Sequence, residues 1–138
     1  MKTWLIDTGP LVAYLDRGDP AHPSVAHTFG GFSGRFATTS AVITESMHLL
    51  AEARDGPMLL AELVHRTSIQ TFECTRPEQL LPAATLMRKY GDTPMDFADA
   101  TLVLLADEIG VVDILTLDRR GFSTYRTAKG RKFLLVRP

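Results

Sequence analysis

Cysteine is nearly missing from this 138-residue chain, and no long hydrophobic run interrupts it. The one cysteine, Cys74, excludes an internal disulfide framework and a zinc knuckle, each of which needs several thiols. It reads instead as a small core residue at a strand end. The apolar run TLVLLA at 101–106 is far too short to cross a bilayer. The opening MKTWLIDTGPLVAYLD has one lysine and an apolar stretch broken by Asp7, a poor signal peptide. A cytoplasmic protein with no membrane partner is therefore expected. No glycine-rich phosphate loop is present, because Gly30-Gly31-x-x-Gly34 lacks both the lysine and the preceding strand. His22, His27, His48 and His65 show no metal-ligand spacing with one another, most reading as exposed, and no Ser-His-Asp arrangement can be picked out.

What is present has an ordinary globular balance, 45% hydrophobic and 22% charged. Residues 1–138 read as a single domain with no linker or internal repeat, large enough to bury roughly two-thirds of its unfolded surface. The formal charge of −1 conceals an asymmetry. Residues 119–138 contain Arg119, Arg120, Arg126, Lys129, Arg131, Lys132 and Arg137 and no acid. That segment reads either as a solvated basic tail or as a cationic rim for a polyanion's phosphates. Phe122, Tyr125 and Phe133 within it are available to stack on bases or to pack a C-terminal hairpin.

Short apolar strands alternate with helical segments. KTWLI is the first strand, and a helix follows from about Pro10, with Thr8 as a nearby cap. A short helix is expected over 24–29, then the strand RFATT. A helix capped by Ser40 carries VITESMHLLAEA as far as Asp55-Gly56-Pro57. Helix 58–65 and the strand IQTFEC come next, then the helix QLLPAATLMRKY with Pro82 in its first turn. Thr93-Pro94-Met95-Asp96 opens the helix FADATLVLLADEI, apolar on nearly every side and hence buried. Gly110 ends it, VVDILTL is a strand, RRGFSTYR a loop or turn, and KFLLV a final strand. This alternation predicts an α/β domain with a mainly parallel sheet covered by helices on both faces.

The acids carry the chemistry. Asp7 and Asp118 each end a strand, which puts them at the carboxyl edge of the sheet, where open α/β folds build their sites. Glu45 and Asp99 fall early in helices. Four such anions gathered together repel unless a divalent cation sits among them. Each residue also has a plainer explanation. Asp7 reads as a helix cap or a ligand, and Glu45 as a flanking surface glutamate or a ligand. Asp118 reads as a salt-bridged turn residue or a ligand, with Thr116 on the same strand face able to orient it. Asp96 fits a capping pattern, whereas Asp99 enters an apolar segment and needs a partner for its charge. Asp99 is thus the stronger ligand candidate, with Asp96 behind it or as its alternate. Asp92, Asp107, Glu108 and Asp113 read as solvated. Oxygen-only ligation favours Mg²⁺ or Mn²⁺ over zinc.

Three segments in order, LIDTGPLVAYLD, TTSAVITESMHLL and DFADATLVLLADEIGVVDILTLDRRGF, resemble the PIN-domain nucleases, in particular the VapC-like toxins of type II toxin–antitoxin pairs. The resemblance runs over nearly the whole chain. It implies that Asp7, Glu45, Asp99 and Asp118 take the family's acidic positions and that Thr116 matches a hydroxyl residue beside the last. It further implies a three-layer α/β/α sandwich with a central sheet of four to five strands, divalent-metal-dependent cleavage of RNA, a homodimer and a cognate antitoxin. Apolar residues exposed on helices 58–65 or 79–90 are the candidates for a dimer surface. Arg119, Arg120 and Arg126 are the candidate RNA contacts, and Thr8 a supporting group. Rival readings are a non-catalytic partner-binding module of the same fold, a housekeeping RNA-processing nuclease, and a phosphatase of the haloacid dehalogenase type. The last is disfavoured because Gly9 stands where a second aspartate should follow Asp7.

Overall fold

The first strand forms where the sequence places two fully buried aliphatics, Leu5 and Ile6, against the centre of the molecule. A computed structural model describes residues 1–67 and 69–138. The elements run β1 (Thr3–Ile6), α1 (Thr8–Leu15), α2 (His22–Gly31), β2 (Arg35–Thr39), α3 (Ser40–Leu49), α4 (Gly56–Arg66), β3 (Gln70–Phe72), α5 (Pro77–Lys89), α6 (Phe97–Ile109), β4 (Asp113–Leu115), α7 (Arg119–Thr124) and β5 (Leu134–Val136). The strands lie in the order β3-β2-β1-β4-β5, and every neighbouring pair is parallel. The α/β expectation holds, with a wholly parallel sheet of five strands.

This order positions the site. From β1 the chain steps outward to β2 and β3, then returns to the other side of β1 for β4 and β5. Parallel crossovers are right-handed, so the reversal places α1 to α4 on one face and α5 to α7 on the other. The loops leaving β1 and β4 diverge at this switch point and open a crevice above the carboxyl ends of the strands. Asp7 directly follows β1, and Asp118 lies three residues beyond β4. Beneath them, Leu5, Ile6, Leu102, Ile114 and Leu115 are almost wholly removed from water. Each such side chain contributes about 1.5–3 kcal/mol of burial free energy, enough to hold a rigid floor.

Several boundaries differ from the sequence reading, for reasons of capping. The first helix starts at Thr8, not Pro10, because Asp7 is its cap. Thr39, not Ser40, caps α3, its hydroxyl accepting from the Val42 amide at 3.3 Å. That helix stops at Leu49 rather than continuing to residue 55. Asp55 adopts a left-handed backbone (φ 56°), and Gly56 passes so close to the Leu50 carbonyl that a Cβ there would meet it at 2.2 Å. α6 begins at Phe97, with Asp96 as its cap and Pro94 outside it. Pro82 sits inside α5, beyond the first turn, and Pro77 takes the helix start. RRGFSTYR contains a short helix, α7, capped by Asp118. Phe122, Tyr125 and Phe133 are buried and pack edge to face, so they are unavailable to stack on bases.

Two acids expected to be solvated are engaged. Asp107 is half-buried and accepts from the Ala128 amide at 2.7 Å, and Asp113 pairs with Lys2 at 3.7 Å. Met58, Leu59, Leu80 and Leu81 leave apolar surface exposed on α4 and α5. Among the described residues no helix is long and apolar enough to cross a membrane.

Candidate metal centre and active site

Asp7 follows β1 in an extended conformation and caps α1 with its carboxylate. One oxygen accepts from the Thr8 amide at 2.8 Å and the other from the Thr116 hydroxyl at 2.8 Å. The same Thr116 oxygen accepts from the Asp118 amide at 2.9 Å. A single buried hydroxyl therefore ties the end of β1 to the end of β4. Asp118 lies exposed at the rim and caps α7 through the Gly121 amide at 3.0 Å.

On the other side of the crevice, Asp96 and Asp99 cap α6 reciprocally. Asp96 accepts from the Asp99 amide at 2.8 Å, and Asp99 accepts from the Asp96 amide at 3.1 Å. Asp99 thus has a local structural job that the sequence did not disclose, while Asp96 is the more exposed of the two. α6 is held to the junction of β2 and α3 by a buried pair of hydroxyls, Thr39 and Thr101, 2.8 Å apart. α3 in turn delivers Glu45, half-buried, toward Asp96 and Thr8.

Electrostatics couple four of these acids, Asp7, Glu45, Asp96 and Asp99. Burial pushes Asp7 up to about 6, aided by the charges of Asp96 and Glu45 and opposed by its two hydrogen bonds. Burial is likewise the largest cause of the rise in Asp99 to about 8, followed by Asp7 and Asp96. Glu45 is raised by burial and then by Asp96, and the Thr8 hydroxyl works the other way. The buried phenol of Tyr125 is pushed up by burial and then by the charges of Asp99, Asp118, Asp96 and Asp7, which places it among four of the five acids. Among the described residues no lysine or arginine forms an ion pair with any of the five.

The donor set fits a hard divalent cation. Asp96, Asp99 and Asp118 each use one carboxylate oxygen for capping, and the other accepts no hydrogen bond from a described residue. Thr8 Oγ1 is buried without a well-formed hydrogen bond, although it faces Glu45 closely enough to favour that group's charged form. All these donors are oxygens, and the uncompensated negative charge is what such a cation would offset. Among the described residues, no three acidic, histidine or cysteine side chains already converge as a preset metal cage. Asp7, Glu45, Asp96 and Asp99 act on one another electrostatically, and Asp118 is joined to Asp7 through the Thr116 hydroxyl.

The basic candidates divide. Arg119 and Arg120 are exposed directly beside Asp118. Arg126 is half-buried, and its Nη1 donates to the carbonyls of Ser123, Thr124 and Tyr125 at 3.0, 3.0 and 2.9 Å. That guanidinium closes the end of α7. Sequence reasoning missed Tyr125, whose hydroxyl donates to the Pro94 carbonyl at 2.6 Å and so fixes the loop leading to Asp96. No local pattern marks a tyrosine for that role, because its partner lies 31 residues away.

No protein-family model matches the chain. Ribonuclease VapC26 of Mycobacterium tuberculosis (strain ATCC 25618 / H37Rv) is 31% identical over 134 residues, spanning 96% of this chain and 98% of that protein. The fold is similar to the crystal structure of Mycobacterium tuberculosis VapC20, a sarcin–ricin loop cleaving toxin. There the TM-score is 0.73 at 17% identity, over 82% of this chain and 87% of the other.

Proposed function

We propose a function from one premise: the chain belongs to the VapC-like family of PIN-domain toxins, as its similarity to VapC26 along nearly its full length requires. The protein is an endoribonuclease that hydrolyses RNA phosphodiester bonds with Mg²⁺ or Mn²⁺, and it is the toxin of a toxin–antitoxin pair. All 138 residues serve one nuclease unit.

Asp7, Asp99 and Asp118 would hold the cation, with Glu45 as a further ligand or the group that orients the attacking water. Asp96 stands behind Asp99 through their reciprocal cap or replaces it as ligand. When bound, the cation supplies Lewis acidity, lowering the pKa of water and offsetting charge on the phosphate oxygens. Thr116 keeps the Asp7 carboxylate in one orientation. Glu45, whose carboxyl burial raises above its ordinary value, is suited to taking a proton from water as its oxygen attacks phosphorus. The phosphorus–oxygen bond opposite breaks, and the leaving oxygen takes a proton from solvent water while Glu45 returns its own to solvent. Arg119 and Arg120 at the rim hold flanking phosphates.

The observation that carries this reading is the set of raised carboxyls without a basic partner, gathered at the switch point of the sheet. A capping role alone leaves that uncompensated charge unexplained, which weakens the non-catalytic alternative. A cognate antitoxin that covers the crevice and a homodimer built on the exposed apolar faces of α4 or α5 complete the proposal. The test compares wild type with Asp7→Asn on single-stranded RNA in Mg²⁺ and in Mn²⁺. Cleavage by the wild type and its near loss in the variant are expected. Equal rates would overturn the mechanism.

A further inference from the structure

A hollow of about 620 Å³ runs between α3, the loop after β3 and the first turn of α6. Glu45 and Asp96 stand in it, and Ala41, Phe97 and Ala98 give it a mostly apolar lining. His48 is the one basic side chain in its lining among the described residues, and no lysine or arginine lines it. Glu73 stands in its wall with a constrained carboxylate. Oε1 accepts from the amides of Cys74 and Thr75 at 2.8 Å each, from the Thr75 hydroxyl at 2.6 Å and from the Ser40 hydroxyl at 3.5 Å. Oε2 accepts no hydrogen bond from any described residue. Those donors, the Thr75 hydroxyl foremost, hold the group charged, down to about 2.

We propose that this groove seats the unpaired base next to the scissile phosphate, stacked on Phe97, with Oε2 of Glu73 accepting an N–H from an exocyclic amino group. The inference rests on the nuclease reading above and specifies its substrate. Glu73, the acid of the groove outside the proposed cation ligands, disfavours a phosphate at its end, while the Glu45 and Asp96 end is suited to one through the cation. A nucleotide carries charge in the matching order, an anion at one end and a neutral, flat, amine-bearing ring at the other. Bases splayed out of single-stranded RNA are recognised by this combination of stacking and edge hydrogen bonds. Glu73 is a preorganised acceptor, because its orientation is fixed before any ligand arrives.

The test uses paired RNA oligonucleotides differing, next to the cut, by one exocyclic amine: cytosine against uracil and guanine against hypoxanthine. The wild-type protein with Mn²⁺ is expected to favour the amine-bearing member about ten-fold in kcat/KM, as suits a hydrogen bond to a charged acceptor. Glu73→Gln keeps the Oε1 contacts and should reduce that preference to about two-fold or less. Phe97→Leu should raise KM for every base and reduce the difference between a normal and an abasic nucleotide, which separates stacking from any general loss of fold. Metal-dependent cutting with unchanged preference in both variants overturns the base subsite alone and leaves the groove to a protein occupant. Failure of the wild type to cut any RNA with metal present removes the nuclease reading and the subsite together.

Discussion

Asp7 and Glu73 are both carboxylates that accept hydrogen bonds from a following backbone amide and a threonine hydroxyl, yet their acidities move in opposite directions. Glu73 is exposed and falls to about 2, while Asp7 is buried and rises to about 6. The hydrogen bonds favour the charged form in both. Desolvation therefore decides the difference, with Asp96 and Glu45 adding to it at Asp7. The exposed acid is content with its protein donors, whereas the buried one lacks a countercharge. Folding has placed an anion where the chain itself supplies no cation, a cost in stability accepted for function.

The largest effect that could break this contrast comes from Asp7→Asn. RNA cleavage in Mg²⁺ should fall at least about a hundred-fold, a ligand loss of the size seen for oriented electrostatic groups. The same variant should gain about 1–2 kcal/mol of stability in urea near neutral pH, because each unit of raised pKa is worth about 1.4 kcal/mol. A variant that is both less stable and equally active would erase the distinction.

Next comes the pH dependence, which has opposite signs at the two places. Asp7 and Asp99 are raised, so the stability they contribute is full below about pH 4 and is lost as pH climbs through about 6 and then about 8. Glu73 is lowered, so its contribution is present above its ordinary pKa and is lost as pH falls through about 2. Urea midpoints in EDTA and in excess Mn²⁺ should show a metal-induced gain larger at pH 8 than at pH 5. At a hundred times the dissociation constant the gain is about 2.7 kcal/mol. An equal gain at both pH values would contradict the assignment.

Thr116→Val should cost about 1–2 kcal/mol, since it removes a buried hydroxyl that donates to Asp7 and accepts from the Asp118 amide. Cleavage should weaken about ten-fold, with the pH profile of kcat/KM displaced upward as Asp7 loses a stabilising donor. The smallest effects belong to the rim. Arg119→Ala and Arg120→Ala should raise KM a few-fold at low salt and make its salt dependence shallower. Arg126→Ala should instead lower the melting temperature with little change in salt slope, because that side chain closes α7.

The path from strand to acid was legible because it is local. A short apolar run followed by Asp7 announces both the strand and its carboxyl edge, and alternation with helical segments announces a parallel sheet. Asp99 stood out because its charge interrupts an apolar segment, and it is indeed among the least exposed acids of the site. What the sequence concealed depends on pairs distant along the chain. Thr39 meets Thr101 across 62 residues, and Tyr125 meets Pro94 across 31. The α6 cap was misplaced by three residues because Thr-Pro-x-Asp satisfies the same pattern as the Asp96–Asp99 pair that forms. The fate of Arg126 was equally hidden, since a basic residue beside an acidic edge reads as a phosphate contact until its donors are traced.

Calorimetric titration of Mn²⁺ into metal-stripped protein at about pH 7.5, repeated in two buffers of different ionisation heat, probes the uncompensated acids most directly. Saturable binding with net release of protons is the predicted result, lost or greatly weakened in both Asp7→Asn and Asp99→Asn. No binding at millimolar Mn²⁺, or binding and proton release unchanged in those variants, would contradict it.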